Sequence, residues 1–311
     1  MKKISLLIIA SLFIFGCGKK EAANKGKINI GITQIIEHPA LDAAVVGFRE
    51  ALADGGYTDD KVNIELQTAQ GDFGVAQTIA SNFVQSKKDL ILAVSTPSAQ
   101  SVFNATKDIP ILITAVTDPV AVGLVGDNIT GTSDMPPMEK QVALMKTLLP
   151  KAKKIGFLYN TSEENSRVLL KKMKSIAEPL GYEIVEKGVT NINEVGQAID
   201  VLLGEIDVLY TPSDNVITAS MSLISNRAEK RNIPIITSDA AQFKSGALAT
   251  EALSFKNLGY QTGEMAVRVL NGEKISDMPI ETLNETKLMI NKEMAKKFNV
   301  IIPKELSDKL N

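Results

Sequence analysis

One cysteine, one histidine and no tryptophan occur in this chain of 311 residues, and the first two scarcities each remove a class of function. Cys17 stands alone, so no intramolecular disulfide can form. With His38 as the sole histidine, neither a Cys–His catalytic pair nor a multi-histidine metal site can be assembled. Walker A, GxGxxG, HExxH and GxSxG patterns are absent, and no EF-hand spacing organises the aspartates. An enzyme, a cofactor and a metal are therefore not expected. Basic residues are not in excess either: 34 Lys and Arg stand against 36 Asp and Glu, which argues against a nucleic-acid partner, since phosphate backbones call for a basic face. Beyond the first residues no run of 18 apolar side chains recurs, so the body of the protein is expected to be soluble.

The long apolar run that is present comes at the start. Met1-Lys2-Lys3, the stretch from Ile4 to Phe15 and then Gly16-Cys17 have the charge, core and small residue of an export signal. The run is too short to cross a bilayer core of roughly 30 Å comfortably. A signal at 1–16 is expected, with net charge moving from −2 to −4 as Lys2 and Lys3 leave. Residues 17–26 carry no large apolar side chain after Cys17 and suit a flexible tether.

Past the tether, about 290 residues with 44% apolar side chains over the whole chain allow two ordinary domains. Short β-like runs alternate with amphipathic helical stretches, the pattern of parallel sheets covered by helices. The spacing predicts strands at Ile28 to Thr33, Val62 to Thr68, Leu90 to Val94 and Ile111 to Val116, with helices between them. A second cycle predicts strands at Ile155 to Tyr159, Glu183 to Glu186, Val208 to Tyr210 and Ile235 to Thr237, with a last helix from Val216 to Lys230. The polar stretch Gly126 to Ser133 reads as loop, and the helix from Met138 to Leu149 as the opening of the second unit. Ser95-Thr96-Pro97-Ser98 is echoed by Thr211-Pro212-Ser213, and an Ile-Pro precedes the next strand in both copies. Proline suits a first helical turn and a strand edge alike, so the echo follows from a shared architecture or from an internal repeat.

Ligands of open α/β folds gather beyond the carboxyl ends of the parallel strands. Here those ends carry Gln34 and His38, then Asp72-Phe73, then Ser95, Thr96 and Ser98, then Thr117-Asp118. The second unit supplies Tyr159-Asn160 with Glu163 and Asn165, then Asp214-Asn215, then Ser238-Asp239. Amides, hydroxyls and carboxylates facing each other across a cleft would satisfy a small zwitterion. The helix after Thr96-Pro97 would seat its carboxylate on free N–H groups, and Asp239, Asp214 or Asp118 its cationic group. Phe73, Tyr159 or Pro39 would give the apolar fit. Each residue also has a plain structural alternative: Thr96, Thr211 and Ser238 as helix caps, Asp118-Pro119 as a turn, Tyr159 as a half-buried strand end. His38 is expected as a hydrogen-bonding cleft or helix-entry residue rather than as an acid or base.

The segments Thr33 to Asp42, Ser95 to Gln100, Thr117-Asp118-Pro119-Val120, Tyr159-Asn160 and Thr211 to Asn215, with Gly259 to Gly263 and Met289-Ile290-Asn291, together resemble a bacterial family. They resemble the ABC-transporter substrate-binding proteins of tryptophan and tyrosine uptake, over essentially the whole chain. The start of the chain likewise resembles a lipoprotein signal, with Cys17 as the lipid-bearing residue. The resemblance implies a two-lobed periplasmic-binding fold of type I, with parallel sheets flanked by helices and three crossovers at a hinge. On that plan lobe one is 27–118 with 242–273, and lobe two is 119–241 with 274–311. It further implies an aromatic amino acid held by the Ser95 to Ser98 loop and by Asp239 or Asp214, a permease and ATPase as partners, a monomer, and a location outside the cytoplasm on a lipid anchor. The residues themselves reach only a small-molecule ligand. A sensory binding protein, or an importer component for a nucleoside or short peptide, would use the same fold.

Overall fold

The computed structural model describes residues 26–283 and 285–310; the signal at 1–16 and most of the tether, including Cys17, lie outside them. The first half runs β1 (Ile28–Gln34), α1 (Pro39–Asp54), β2 (Val62–Thr68), α2 (Phe73–Gln85), β3 (Leu90–Val94), α3 (Thr96–Ala105), β4 (Ile111–Val116) and β5 (Ile129–Ser133). Next come α4 (Met138–Leu148), β6 (Lys154–Asn160), α5 (Glu164–Ala177), β7 (Glu183–Val189), α6 (Val195–Leu202) and β8 (Val208–Thr211). They are followed by α7 (Asn215–Ala219), α8 (Met221–Lys230), β9 (Ile235–Thr237), α9 (Ala240–Lys244) and β10 (Ala249–Ala252). The chain ends through α10 (Phe255–Leu270), β11 (Glu281–Thr282), β12 (Lys287–Ile290), α11 (Lys292–Lys297) and α12 (Lys304–Ser307).

Two six-stranded sheets result, ordered β2-β1-β3-β4-β5-β11 and β7-β6-β8-β9-β10-β12. Every pairing is parallel except that of β10 with β12. The central strands β3 and β4 are buried at every position, which is why they read as unbroken apolar runs: helices cover both faces. In α1, Leu41, Ala44, Val45, Phe48 and Leu52 recur at helical spacing and turn one buried stripe to the sheet. Its other close neighbour is α10. The two backbones come so near that a Cβ on Gly47 would run into the Lys256 carbonyl oxygen and one on Gly259 into that of Ala44.

The sheets divide the chain differently from the expected boundaries. Residues 129–133 form a buried strand of the first sheet, not a loop, and β11 joins that sheet as well, whereas β10 belongs to the second, as β9 was expected to. By their sheets, lobe one takes 27–133 with 255–282 and lobe two 138–252 with 287–310, with crossovers at 134–137 and 253–254 and a third between β11 and β12. Polarity hides β5: Ile-Thr-Gly-Thr-Ser has the composition of a turn, yet each hydroxyl on its threonines is paired inside the protein. Thr130 donates to the Met278 carbonyl (2.8 Å). Thr132 meets Thr114 at 3.2 Å and Thr262 at 2.8 Å, and Thr262 donates to the Leu258 carbonyl at 2.9 Å. Buried hydroxyls satisfied in this way carry no desolvation debt. The expected helix from Val216 to Lys230 is also two helices, broken at Ser220.

Candidate functional site

Both sheets point the carboxyl ends of their parallel strands at the space between the lobes, where α3 meets α5 and α1 meets α9. A cavity there is lined by His38, Leu41, Ala115, Thr117, Asp134 and Phe255 from lobe one and the hinge, and by Asn165, Ser213, Asp214, Asn215, Thr218 and Asp239 from lobe two. Its volume is about 20 Å³, room for about one water. The lobes are thus pressed together. Two strand ends on the cleft hold non-glycine residues at positive φ, Ser95 at 84° and Ala115 at 56°. Such conformations cost about 1–3 kcal/mol each and concentrate at ligand clamps.

Acid dominates this space. Asp134, Glu163, Asp214 and Asp239 are all nearly fully buried, and no Lys or Arg lines the cavity. Two of the four are engaged within the protein. Asp214 accepts from the Asn160 N–H (2.6 Å), the Ser166 hydroxyl (2.6 Å) and the Ile217 N–H (3.0 Å), capping α7. Glu163 accepts from the side chains of Asn160 (3.2 Å), Asn165 (3.2 Å) and Asn215 (2.6 Å). Burial, reinforced by the charge of Asp214, pushes the Glu163 carboxyl up to about 8. Asp239 spends one oxygen on the N–H groups of Ala241 (2.7 Å) and Gln242 (2.8 Å), and burial pushes it up to about 6. Asp134 keeps Oδ1 buried without a partner; burial and then the nearby charge of Asp239 push it up to about 7. Asp134 and Asp239 are thus the pair with acceptor capacity to spare, and a ligand ammonium would relieve both the desolvation and the repulsion.

An opposite preference is built at the end of β3. The hydroxyls of Ser95, Thr96 and Ser98 are buried without partners. Ser95 does not cap α3 with its side chain, and Pro97 follows Thr96 in the first turn. The first N–H groups of a ten-residue helix and three idle hydroxyls would suit an anion. Across the cleft, His38 at the entry to α1 joins Asn215 of lobe two, Nε2 to Oδ1 at 3.3 Å. Burial brings its imidazole down to about 4, so the ring is neutral at pH 7.

The other expected site residues lie around this core. Thr117 lines the cavity and its carbonyl accepts from Ser133 (2.7 Å). Gln34 is buried and donates to the Ile36 carbonyl (2.9 Å) and to Asp42 (2.8 Å), holding the turn into α1. Asp118 accepts from the Ala121 N–H at 3.0 Å and closes a turn. Asn160 braces Glu163 and accepts from the Ser162 N–H at 3.0 Å. Ser238 accepts from the Ser213 hydroxyl at 3.1 Å. Tyr159 packs edge-on against Phe157 with centroids 6.0 Å apart, and Phe73 is exposed at the start of α2; neither lines the cavity. Asp134 and Phe255 line it without having been anticipated. Phe255 follows one hinge crossing and Asp134 opens another, directly after the strand that reads as a loop. The one available signal was the Pro136-Pro137 pair that ends an extended segment before α4.

A family model described as ABC transporter substrate binding protein matches residues 29–310. A tyrosine-binding protein of Clostridioides difficile strain R20291 is 48% identical, covering 95% of this chain and 92% of the relative. Among solved structures, an ABC domain in complex with L-Trp from Streptococcus pneumoniae superposes with a TM-score of 0.89 at 34% identity, covering 92% of this chain and 99% of that one. The ligand-free, open structure of a Clostridium difficile substrate-binding protein with adhesive properties superposes with a TM-score of only 0.68 at 48% identity, covering 91% and 98%. The better superposition falls on the less similar sequence. Lobe arrangement accounts for that inversion: this structure is closed, as the packed cavity also requires.

Proposed function

The chain belongs to the ABC transporter substrate-binding proteins, a family that binds its ligand without transforming it, and from that premise we propose that its cleft captures an aromatic amino acid, tyrosine or tryptophan. The observation that carries the reading is the pairing of two unmet needs in one cleft. Asp134 and Asp239 are buried carboxylates on the cavity with no Lys or Arg lining it, and the start of α3, at the end of the strand beside β4, offers an anion three buried hydroxyls that have no partner among the described residues. A free α-amino acid carries both complements. Leu41 and Phe255 offer apolar surface for a ring, and the names of the relatives support an aromatic one. Bound between lobes, the ligand bridges the hinge and shifts an open–closed equilibrium toward the closed form, which a membrane permease with its ATPase engages. The protein acts outside the cytoplasm, as a monomer, tethered through a lipid on Cys17; the sequence of residues 1–17 supports that anchor.

Thermal unfolding tests the reading. Stripped of copurified ligand by unfolding and refolding, the protein gains about 2.7 kcal/mol at a ligand concentration 100-fold above Kd, a rise of about 5 °C for a chain of this size. L-tyrosine or L-tryptophan produces that rise, while sugars, nucleosides and short peptides do not. A response confined to one of those other compounds would overturn the aromatic assignment and leave the family membership intact.

A further inference from the structure

We propose that His38 is a specificity residue, held as a hydrogen-bond acceptor so that its Nδ1 selects a ligand whose side chain bears an O–H or N–H donor. The inference rests on the aromatic amino-acid reading and goes beyond it, to the class of ring.

The hydrogen-bond chain that crosses the lobes settles the ring's proton. Oε2 of Glu163 accepts the backbone N–H of Asn215 at 3.3 Å and the side-chain NH2 of Asn165 at 3.2 Å, two donors that mark that oxygen as an acceptor. The side chain of Asn215 approaches the same oxygen at 2.6 Å and must therefore present its NH2 there. Its Oδ1 then faces His38 Nε2 at 3.3 Å, and only an N–H on Nε2 makes that contact favourable. A neutral imidazole carries one proton. Burial keeps the ring neutral, so Nδ1 is a bare lone pair.

That lone pair has no partner among the described residues although the residue is 7% exposed and lines the cavity. A buried acceptor left unmet costs about 1–3 kcal/mol, which a ligand can recover. The ligand's carboxylate cannot, because it only accepts. Its ammonium has the stronger complement in Asp134 and Asp239. What remains is a donor on the side chain: a phenol O–H or an indole N–H serves, and a phenyl ring does not. Because His38 sits in lobe one and Asn215 in lobe two, the ring acquires this fixed tautomer only on closure, which couples side-chain selection to the closed state.

Titration calorimetry of the stripped protein with L-tyrosine and L-phenylalanine, which differ by one O–H, decides the matter. Wild type favours tyrosine by at least about ten-fold, since sites built around a substrate hydroxyl reject the analogue lacking it. H38Q keeps an amide donor toward Asn215 but has no acceptor near Nδ1; its tyrosine affinity falls by at least about ten-fold with phenylalanine nearly unchanged. H38N places its amide oxygen near the Nδ1 position and recovers part of the preference. Equal wild-type affinities, or equal losses for both ligands in H38Q, would overturn the proposal and leave His38 as an element of closure. Wild type binding neither ligand would instead bring down the aromatic reading on which the proposal stands.

Discussion

Replacing Asp134 by asparagine is expected to weaken binding of an aromatic amino acid by about 2–4 kcal/mol, roughly 30- to 1,000-fold. The change is nearly isosteric, so the loss reports charge. Asp134 has a buried oxygen with no protein partner and Asp239 beside it, and neither has a cation in the cavity. A ligand ammonium would therefore make two buried negative charges tolerable. The same electrostatics give a pH signature. Both carboxyls are raised above their unfolded values, Asp134 to about 7 and Asp239 to about 6. A raised carboxyl binds protons in the folded state that the unfolded chain has already lost, so its contribution to stability is full below about pH 4 and disappears as pH climbs through 6 and 7. Without ligand, these two groups are expected to cost the protein stability as pH rises from about 4 to about 7. Ligand affinity runs the other way, rising from pH 5 to about 7 and then levelling, because the ammonium binds the ionised pair and displaces a proton. D134N flattens much of that rise. Calorimetric titrations at pH 5, 6, 7 and 8 measure both effects; unchanged affinity and slope in D134N would remove Asp134 from the site.

Changing Gly259 to alanine is expected to cost about 3 kcal/mol or more, lowering the unfolding midpoint by about 6–12 °C. A Cβ at Gly259 collides with the Ala44 carbonyl, and at Gly263 it would lie 2.6 Å from the Phe48 carbonyl oxygen. Backbone atoms of α1 cannot step aside as a side chain could, so α10 must lift off the helix it packs against. The consequence reaches the site, because α10 begins immediately after the crossing at 253–254 and carries Phe255 into the cavity. The matched control is Gly196 to alanine in α6, where the nearest atom to the new Cβ is a guanidinium nitrogen of Arg227 at 3.4 Å. There the helix gains up to about 1 kcal/mol of propensity, so the midpoint holds or rises. Equal midpoints for the Gly259 and Gly196 variants would refute the close-packed helix pair.

Strands made of apolar runs, β3, β4 and β9, were legible to the residue, because burial on both faces leaves a signal that needs no context. β5 was not, and the lobe boundaries failed with it. Its Thr-Gly-Thr-Ser core is stabilised by hydroxyl pairs with β4, α10 and the segment before β11, partners as far as 149 residues away, which no local pattern reveals. Losing β5 also hid Asp134, since a residue is sought at a strand's carboxyl end only if the strand is known. Of the polar strand ends gathered from the sequence, His38, Thr117, Asp214, Asn215 and Asp239 line the cavity, and their partners divide on hydrogen-bond detail: Asp214 and Asp239 both cap helices, and only the partners counted around each oxygen separate the engaged carboxylate from the one with capacity left.

The central claim is that one cleft answers both charges of an amino acid, and removing each charge from the ligand tests it most directly. Calorimetry of the stripped protein with L-tyrosine, N-acetyl-L-tyrosine and tyramine is expected to show tight binding of the first alone. Each analogue loses about 2 kcal/mol or more, about 30-fold or greater, the acetylated one because Asp134 and Asp239 stay unpaired and the decarboxylated one because the α3 seat stays unfilled. N-acetyl-L-tyrosine or tyramine binding as tightly as L-tyrosine would contradict the account at the corresponding half of the site.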